Sequence, residues 1–262
     1  MLTNLFKTKT DPSPANGNSL QDGLDLTNIP CHVAMIMDGN GRWARAQGKP
    51  RTFGHSAGAR ALRRIVKYAD SIGVKILTAY AFSTENWKRP VTEVDFIMKL
   101  LMEYLTKELD EFQKYQVRMR FIGTRDGLPE AVLKKMDAAV MQTKDNTGIL
   151  LNIAINYGGQ AEIVQAAREI ARLAVDGELS PDQISKEVFE DHLYTRGLPA
   201  PDLLIRTGGD LRVSNFLLWQ IAYAEMWTTP VFWPDFTPEL FKQAVLSYQK
   251  RDRRFGGLTK KE

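Results

Sequence analysis

Cysteine is almost absent from this chain of 262 residues, since Cys31 is its only example. A single cysteine excludes an intrachain disulfide and is typical of a reducing compartment. Histidine is also scarce. Three histidines far apart in the sequence, with one cysteine, do not provide the ligand spacing of a classical zinc site. We therefore expect a protein whose fold depends on neither disulfides nor zinc.

Long apolar runs are missing as well. No stretch reaches the roughly 18 apolar residues that predict a membrane span, and the first residues lack the apolar core of a signal peptide. Hydrophobic residues make up 44% of the chain and charged residues 25%, a balance that suits an ordinary globular protein. The net charge of +4 is mild, and only the run 250–254 is strongly basic, which does not predict nucleic-acid binding. We expect a soluble, cytoplasmic protein.

Three regions differ in composition. Residues 1–30 are rich in Asn, Ser, Gly and Pro and lack apolar periodicity, so we predict a flexible N-terminal tail. Its apolar residues Leu2, Leu5 and Phe6 fit either a frayed terminus or contact with a membrane surface. Residues 31–257 form one predicted domain, and 258–262 form a short C-terminal tail.

Within the domain, apolar runs alternate with helical patterns. The strand candidates are 32–37, 74–82, 117–122, 149–155, 202–206 and 230–233. The helical candidates are 55–71, 92–114, 129–143, 160–175, 181–193, 215–224 and 238–250. This alternation predicts a single α/β domain with a mostly parallel, open sheet that is flanked by helices on both faces.

The most informative segment is Asp38-Gly39-Asn40-Gly41-Arg42, which directly follows the first apolar run. Its Gly and Asn amides can surround phosphate oxygens, and Arg42 can pair with them. Asp38 would repel the same oxygens unless a hard cation such as Mg²⁺ lay between them. The segment therefore predicts a metal–diphosphate site.

Three more polar segments follow predicted strands. They are 83–89, 156–159 and 206–210. Because the carboxyl ends of parallel strands meet at one edge of a sheet, ligands bind there, and all four segments are expected on one rim.

Five arginines lie in or beside these segments: Arg42, Arg51, Arg89, Arg206 and Arg212. Planar guanidinium groups match diphosphate oxygens in bidentate pairs, although surface arginines also pair with nearby acids. The place of Arg206 at a strand end before Thr-Gly-Gly favours a binding role. For Arg51 and Arg89 both interpretations stay open.

Two further residues and one helix also have two interpretations. Glu225 lies in an apolar segment, where it is either a second metal ligand or the partner of an arginine. His55, at the start of a helix, either faces an anionic ligand or is a neutral structural residue. The apolar stripe of the helix 92–114 fits ordinary core or the lining of a lipid tunnel.

The motifs, in this order, resemble the cis-prenyltransferase family, and within it most closely the bacterial undecaprenyl diphosphate synthases. The resemblance covers about residues 30–257. It is carried by the segments 32–44, 48–51, 54–55, 83–90, 152–159, 206–225, 233–236 and 253–257. One position departs mildly from it, because Asp210 stands where many relatives have Glu.

The resemblance implies an enzyme that condenses isopentenyl diphosphate units onto farnesyl or another allylic diphosphate, with new cis double bonds. It also implies a six-stranded, largely parallel sheet, an apolar tunnel, Mg²⁺ dependence and a homodimer. The C-terminal segment 255–257 would reach the partner's active site. The expected product is a polyprenyl diphosphate near undecaprenyl length, a lipid carrier precursor delivered to the inner membrane face, where peripheral contact is expected.

The same resemblance implies residue roles. Asp38 and Glu225 would bind Mg²⁺, and Asn86 would accept a proton. The allylic diphosphate would be held by Gly39, Asn40, Gly41, Arg42, Arg51 and His55. The rest of the allylic site would be shaped by Trp43, Ser83, Thr84, Glu85, Trp87 and Arg89. Isopentenyl diphosphate would be held by Arg206, Arg212 and Ser214, and Val213 would be a further substrate-binding residue. Tunnel depth would depend on Ala81, Ile97, Leu101 and Ile149.

Two other functions fit parts of the sequence less well. Residues 39–44 fit the dinucleotide pattern G-x-G-x-x-A, but Gly48 and Pro50 interrupt the helix that such a site needs, and no strand follows at the right distance. A non-catalytic partner subunit of the same fold would lack the first aspartate or the arginine loop, whereas this chain keeps Asp38 and Arg206.

Overall fold

The computed structural model describes residues 20, 21 and 23–251. The proposed membrane contact of Leu2, Leu5 and Phe6 and the C-terminal motif 253–257 therefore lie outside the described residues.

Regular structure accounts for most of the described chain. The strands are β1 (Leu20–Gln21), β2 (Leu24–Asp25), β3 (His32–Ile36), β4 (Ile76–Ser83), β5 (Arg118–Ile122), β6 (Leu150–Tyr157), β7 (Leu203–Arg206) and β8 (Glu225–Thr228). The helices are α1 (Asn40–Ala46), α2 (Arg51–Ser71), α3 (Val91–Lys107), α4 (Leu109–Lys114), α5 (Glu130–Thr143), α6 (Gly159–Val175), α7 (Lys186–Asp191) and α8 (Pro238–Gln249). Short 3-10 turns cover 84–88, 181–183 and 233–235.

The centre of the molecule is a six-stranded parallel sheet in the order β5-β6-β4-β3-β7-β8. This confirms the predicted fold class. Five strands match apolar runs of the sequence, and β6 is buried over its whole length, as expected for a strand covered on both faces. The sixth strand is not 230–233 but β8, an edge strand whose register is set by pairing with β7.

Alternate residues of the strands enter two apolar clusters, one on each face of the sheet. Val33 and Met35 of β3 join the larger cluster, which is built with α2, α3, α5 and α8. Ala34 and Ile36 point to the other face, where Phe216 packs with them. The sheet is thus covered on both sides, and its carboxyl edge is left for ligands.

Two local expectations were wrong. The tail was predicted to reach residue 30, but residues before that position already pack onto the domain. Leu24 is 1% exposed in the main core, and Gln249 of α8 donates to the Asp25 carbonyl. The predicted helix 215–224 is irregular chain, in which Asn215 has a left-handed φ of 62°. Helix α1 opens inside the 38–42 segment, with Gly39 as its N-cap, and ends at Ala46, so the predicted interruption at Gly48 and Pro50 is confirmed.

Among the described residues, no helix is both long and apolar enough to cross a membrane.

Candidate active site

A cleft of about 580 Å³ lies at the carboxyl edge of the sheet. Three of the four predicted segments, those after β3, β4 and β7, line it, whereas the segment 156–159 after β6 does not. The predicted site residues in its wall are Asp38, Gly39, Asn40, Gly41, Arg51, His55, Ser83, Glu85, Asn86, Arg89, Arg206, Arg212 and Ser214. Residues far apart in sequence are therefore brought together by the parallel strand order.

The turn after β3 places Asp38 at the base of the cleft. Gly39 has φ of +104°, and a Cβ there would lie 2.5 Å from the Phe232 ring. Only glycine fits this conformation and contact without strain. The Gly39 amide donates to the Asp38 carboxylate at 2.6 Å, so the turn fixes the aspartate beside the first residues of α1.

Asp38 and Arg206 form the central ion pair of the cleft. Arg206 is 3% exposed, and its Nη2 lies 2.9 Å from Oδ2 of Asp38 and 2.9 Å from Oδ2 of Asp210. Its Nη1 donates to Oγ of Ser214 at 2.8 Å. A buried guanidinium is tolerated because it is paired and hydrogen-bonded in this way.

The Asp38 carboxylate is ionised at neutral pH. Partial burial opposes ionisation, but the guanidinium groups of Arg206 and Arg42 outweigh it and hold the pKa of Asp38 below its usual range. An anionic oxygen donor is thus available inside a mainly cationic cleft.

The segment after β4 forms a capped 3-10 turn. The Asn86 side-chain oxygen accepts the Ser83 amide at 3.2 Å, which completes a capping box. Glu85 accepts Asn215 Nδ2 at 2.8 Å, so the loop after β4 contacts the loop after β7 across the cleft. Burial raises the pKa of Glu85, but hydrogen bonds led by Asn215 lower it overall. The predicted residue Glu85 is therefore held across the cleft by Asn215.

Arg51, His55 and Arg89 form a second cationic group. All three contact Glu93, a residue of α3 that is 7% exposed. His55 is a hydrogen-bonded residue that also lines the cleft, so the two interpretations of this histidine are not exclusive. Burial lowers the pKa of His55 although Glu93 raises it, which favours the neutral ring at pH 7.

An apolar pocket of about 100 Å³ adjoins the cleft. The two share Met37, Asn40, His55 and Ala81 as a common wall. Of the side chains predicted to set tunnel depth, Ala81, Ile97 and Leu101 line this pocket, and Ile149 is buried outside it. The stripe on α3 therefore serves the core and the pocket at once.

Several predicted binding residues are not among those that line the cleft. Trp43 stacks on Phe53 with ring centroids 5.6 Å apart, and Trp87 donates to Asn156 at 2.7 Å. Arg42 pairs with Asp38 at 3.1 Å and lies over the Phe232 ring. Val213 packs against the second apolar cluster. The Thr84 hydroxyl approaches Gly158, where a Cβ would lie 2.6 Å from it. Arg42 thus contacts Asp38 in the wall of the cleft, whereas Trp43 and Thr84 contact residues outside it.

Glu225 does not join the site within this chain. It pairs with Leu203 at the beginning of β7, whereas Arg206, the last residue of β7, pairs with Thr228. Glu225 and Arg206 are therefore offset by three residues along the strand direction, about 10 Å at the usual rise per residue. Asp38 lies farther still in the same direction, two residues past the end of β3. Glu225 instead pairs with Arg251. The expectation that it completes the metal site with Asp38 is wrong for a single chain, and the alternative of an arginine partner is confirmed.

Of the two carboxylates in the wall of the cleft, Asp38 and Glu85, Asp38 is the one predicted to bind a hard cation. Among the described residues, no group of three or more His, Cys, Asp or Glu side chains could form a protein cage for a metal. Mg²⁺ is commonly held by one or two carboxylates together with substrate phosphates and water. The exposed face of Asp38, beside arginines that suit a diphosphate, fits that mode of binding.

Three residues of the site were not predicted. Glu93 organises the second cationic group, Asp210 bridges Arg206 and Arg212, and Asn215 contacts Glu85. In the sequence, Glu93 is an acidic residue at the beginning of an amphipathic helix, which is only a weak signal of a role in the site. The partners of Asp210 and Asn215 follow only from the course of an irregular loop.

The chain matches known proteins along nearly its whole length. Residues 36–256 match the model of the prenyltransferase family described as undecaprenyl diphosphate synthase. It is 49% identical to an isoprenyl transferase of Heliobacterium mobile, over 96% of both chains. It is 50% identical to one of Clostridium perfringens, over 93% of this chain and 96% of the relative.

Solved structures agree. A lavandulyl diphosphate synthase from Lavandula x intermedia, in complex with dimethylallyl diphosphate, matches with a TM-score of 0.86 and 38% identity, over 88% of this chain and 99% of that one. A probable undecaprenyl diphosphate synthase from Campylobacter jejuni matches with a TM-score of 0.72 and 33% identity, over 87% and 99%. The fold and cleft define a prenyltransferase of the α/β class. The chain belongs to the undecaprenyl diphosphate synthase family, and the predicted resemblance is confirmed.

Proposed function

We propose that the chain elongates an allylic diphosphate, with farnesyl diphosphate favoured, by successive cis additions of isopentenyl diphosphate. The observation that carries this proposal is the wall shared by the polar cleft and the apolar pocket. A molecule with a diphosphate head and an isoprenoid tail needs an anion site that opens directly into an apolar space. The product is a polyprenyl diphosphate near undecaprenyl length, which serves as a lipid carrier precursor.

The position of the pocket supports an assignment of the two substrates. The pocket adjoins His55 and Asn40, so the allylic chain enters there and its diphosphate lies among Asp38, Arg51 and Arg89. Isopentenyl diphosphate then occupies the other half of the cleft, beside Arg206, Arg212 and Ser214. This arrangement sets the reacting carbon atoms between the two cationic groups.

The residues of the cleft stabilise the charge that develops during the reaction. When the allylic C–O bond breaks, negative charge grows on the departing diphosphate, next to donors that are already oriented. Mg²⁺ held by Asp38 would supply further positive charge to that diphosphate. The isopentenyl double bond attacks the allylic carbon, and a proton is then lost to set the new alkene. Asn86 is the proposed proton acceptor. Its side-chain oxygen accepts the Ser83 amide, a bond that this role would have to break or share.

The assembly and cellular context follow from the family resemblance. The enzyme acts as a homodimer in the cytoplasm and contacts the inner face of the membrane peripherally when it delivers its product. Sedimentation and vesicle flotation test these two statements independently of catalysis.

The decisive experiment is incorporation of labelled isopentenyl diphosphate onto farnesyl diphosphate, with Mg²⁺ and with a chelator, followed by product sizing. Dimethylallyl diphosphate serves as a second primer because one structural neighbour was solved with it. Metal-dependent elongation supports the proposal, and the product ladder gives the chain length. Folded protein that elongates neither primer would favour the non-catalytic partner subunit, and elongation in the chelator would refute the role of Mg²⁺.

A further inference from the structure

Glu93 lies behind the allylic half of the cleft, where a carboxylate without partners would be unfavourable. Its side chain is 9% exposed and stands in the first turn of α3. An acid in a first helical turn gains from the helix dipole, but that gain is small beside the cost of burying an unpaired charge. Neighbouring side chains must therefore compensate the negative charge of the Glu93 carboxylate.

Three hydrogen-bond donors from two separate segments of the chain compensate the charge of Glu93. Oε2 accepts Nε of Arg51 at 2.9 Å, whereas Oε1 accepts Nε2 of His55 and Nη1 of Arg89, each at 3.1 Å. Arg51 and His55 belong to the first turns of α2, and Arg89 lies in the connection to α3. One carboxylate thus connects the beginnings of two helices at the rim of the cleft.

The donors keep further N–H groups for a ligand. Each arginine uses one N–H of its guanidinium on Glu93, and a guanidinium has five. Arg51 is confined by Gly41 as well, because a Cβ on Gly41 would lie 2.8 Å from its Cζ. All three donors line the cleft, and Glu93 does not. The Glu93 carboxylate therefore orients three donor side chains that also face the cleft.

We infer that Glu93 is a positioning residue for the allylic diphosphate: it holds Arg51, Arg89 and His55 in place before the substrate binds. It touches no substrate itself. Two arginines, one carboxylate and a neutral histidine leave a net positive charge, which suits an anion of two or three charges. This inference rests on the proposed function for the identity of the ligand, and on the contacts alone for the arrangement of the donors.

The principal test is Glu93→Gln, with Glu111→Gln as the matched control. Glu111 also pairs with two cations of α2, Arg63 and Lys67, but it lies outside the cleft. In Glu93→Gln we expect KM for the allylic diphosphate to rise about tenfold or more, as for a lost charged contact, with KM for isopentenyl diphosphate nearly unchanged. The control should change neither constant. An equal rise in both constants, or none, would overturn the inference.

A second readout does not require turnover. The chain has three histidines, so its imidazole NMR spectrum is simple. The ring of His55 is faced by Glu93, Arg51 and Arg89. Loss of the Glu93 charge should move the His55 titration to lower pH, whereas the titration of His32 should stay in place. An unmoved His55 titration would contradict the contact.

Binding of inorganic diphosphate, measured by calorimetry, separates this inference from the proposed function. If the wild type binds diphosphate but elongates no primer, the proposed function fails, whereas weaker binding by Glu93→Gln still supports positioning. If Glu93→Gln does not fold, Gly41→Ala replaces it, since its methyl group displaces the Arg51 guanidinium. Unchanged diphosphate binding by folded Gly41→Ala would then count against the inference.

Discussion

Arg206 donates to Asp38 at 2.9 Å, which joins the carboxyl end of β7 to that of β3. The two strands are neighbours, with Ile36 opposite Arg206. The pair links the proposed isopentenyl half of the cleft to the proposed allylic half. Each residue keeps the other oriented before any ligand binds, so either substrate finds its charged partner already in place.

Replacement of Asp38 by alanine should leave the fold intact and reduce turnover by about 100-fold or more, a typical loss for one transition-state contact. The fold should persist because Arg206 keeps its bonds to Asp210 and Ser214. Turnover at saturating substrates and the thermal midpoint, measured on the same preparation, check both parts. Wild-type turnover in this variant would refute the proposed role of Asp38.

Ala81→Leu should shorten the product by at least one isoprene unit. Ala81 lines both the cleft and the apolar pocket, so a larger side chain would fill the space into which the chain grows. Ile149→Val is the control, since Ile149 is buried but lies outside the pocket. Product sizing by chromatography distinguishes them. An unchanged ladder in folded Ala81→Leu would place the growing chain elsewhere.

Glu162→Gln should reduce the free energy of unfolding by about 1–3 kcal/mol, the cost of leaving a buried donor unpaired. Glu162 is 1% exposed and accepts Tyr157 Oη at 2.5 Å, the Tyr194 amide at 2.8 Å and Gln220 Nε2 at 3.0 Å. A glutamine offers one oxygen to these three donors. Urea unfolding measures the change, and equal stability of the two proteins would show that the network repacks freely.

The stability difference between wild type and Glu162→Gln should also depend on pH. Burial raises the pKa of Glu162 above its usual range although three hydrogen bonds act in the opposite direction. The native protein therefore holds this proton at pH values where the unfolded chain, with a pKa of about 4.3, has lost it. By linkage, the contribution of Glu162 to stability decreases as pH rises from that value through the raised pKa. Unfolding curves of both proteins over this range check the sign, and a difference that grows with pH would contradict it.

Much of the fold and of the site was predictable because it depends on local pattern. The apolar runs that became β3 to β7 are well bounded, and all except the run of β5 are followed by one of the four predicted polar segments at the same end. The failures occur where local pattern is weak. Strand β8 is a short, half-exposed edge strand, and the apolar segment 215–224 contains left-handed residues that no helix accepts.

The sequence by itself determined the alternation of strands and helices, the parallel direction of the sheet and the edge at which the polar segments meet. Only the tertiary structure decided which of their side chains touch. The order β5-β6-β4-β3-β7-β8 places Arg206 against Asp38 and leaves Glu225 at the other end of the sheet. Likewise, Glu93 finds Arg51 across 42 residues of sequence. Periodicity reports which face of an element is apolar, whereas such contacts depend on strand order and helix packing, which are set by interactions between distant parts of the chain.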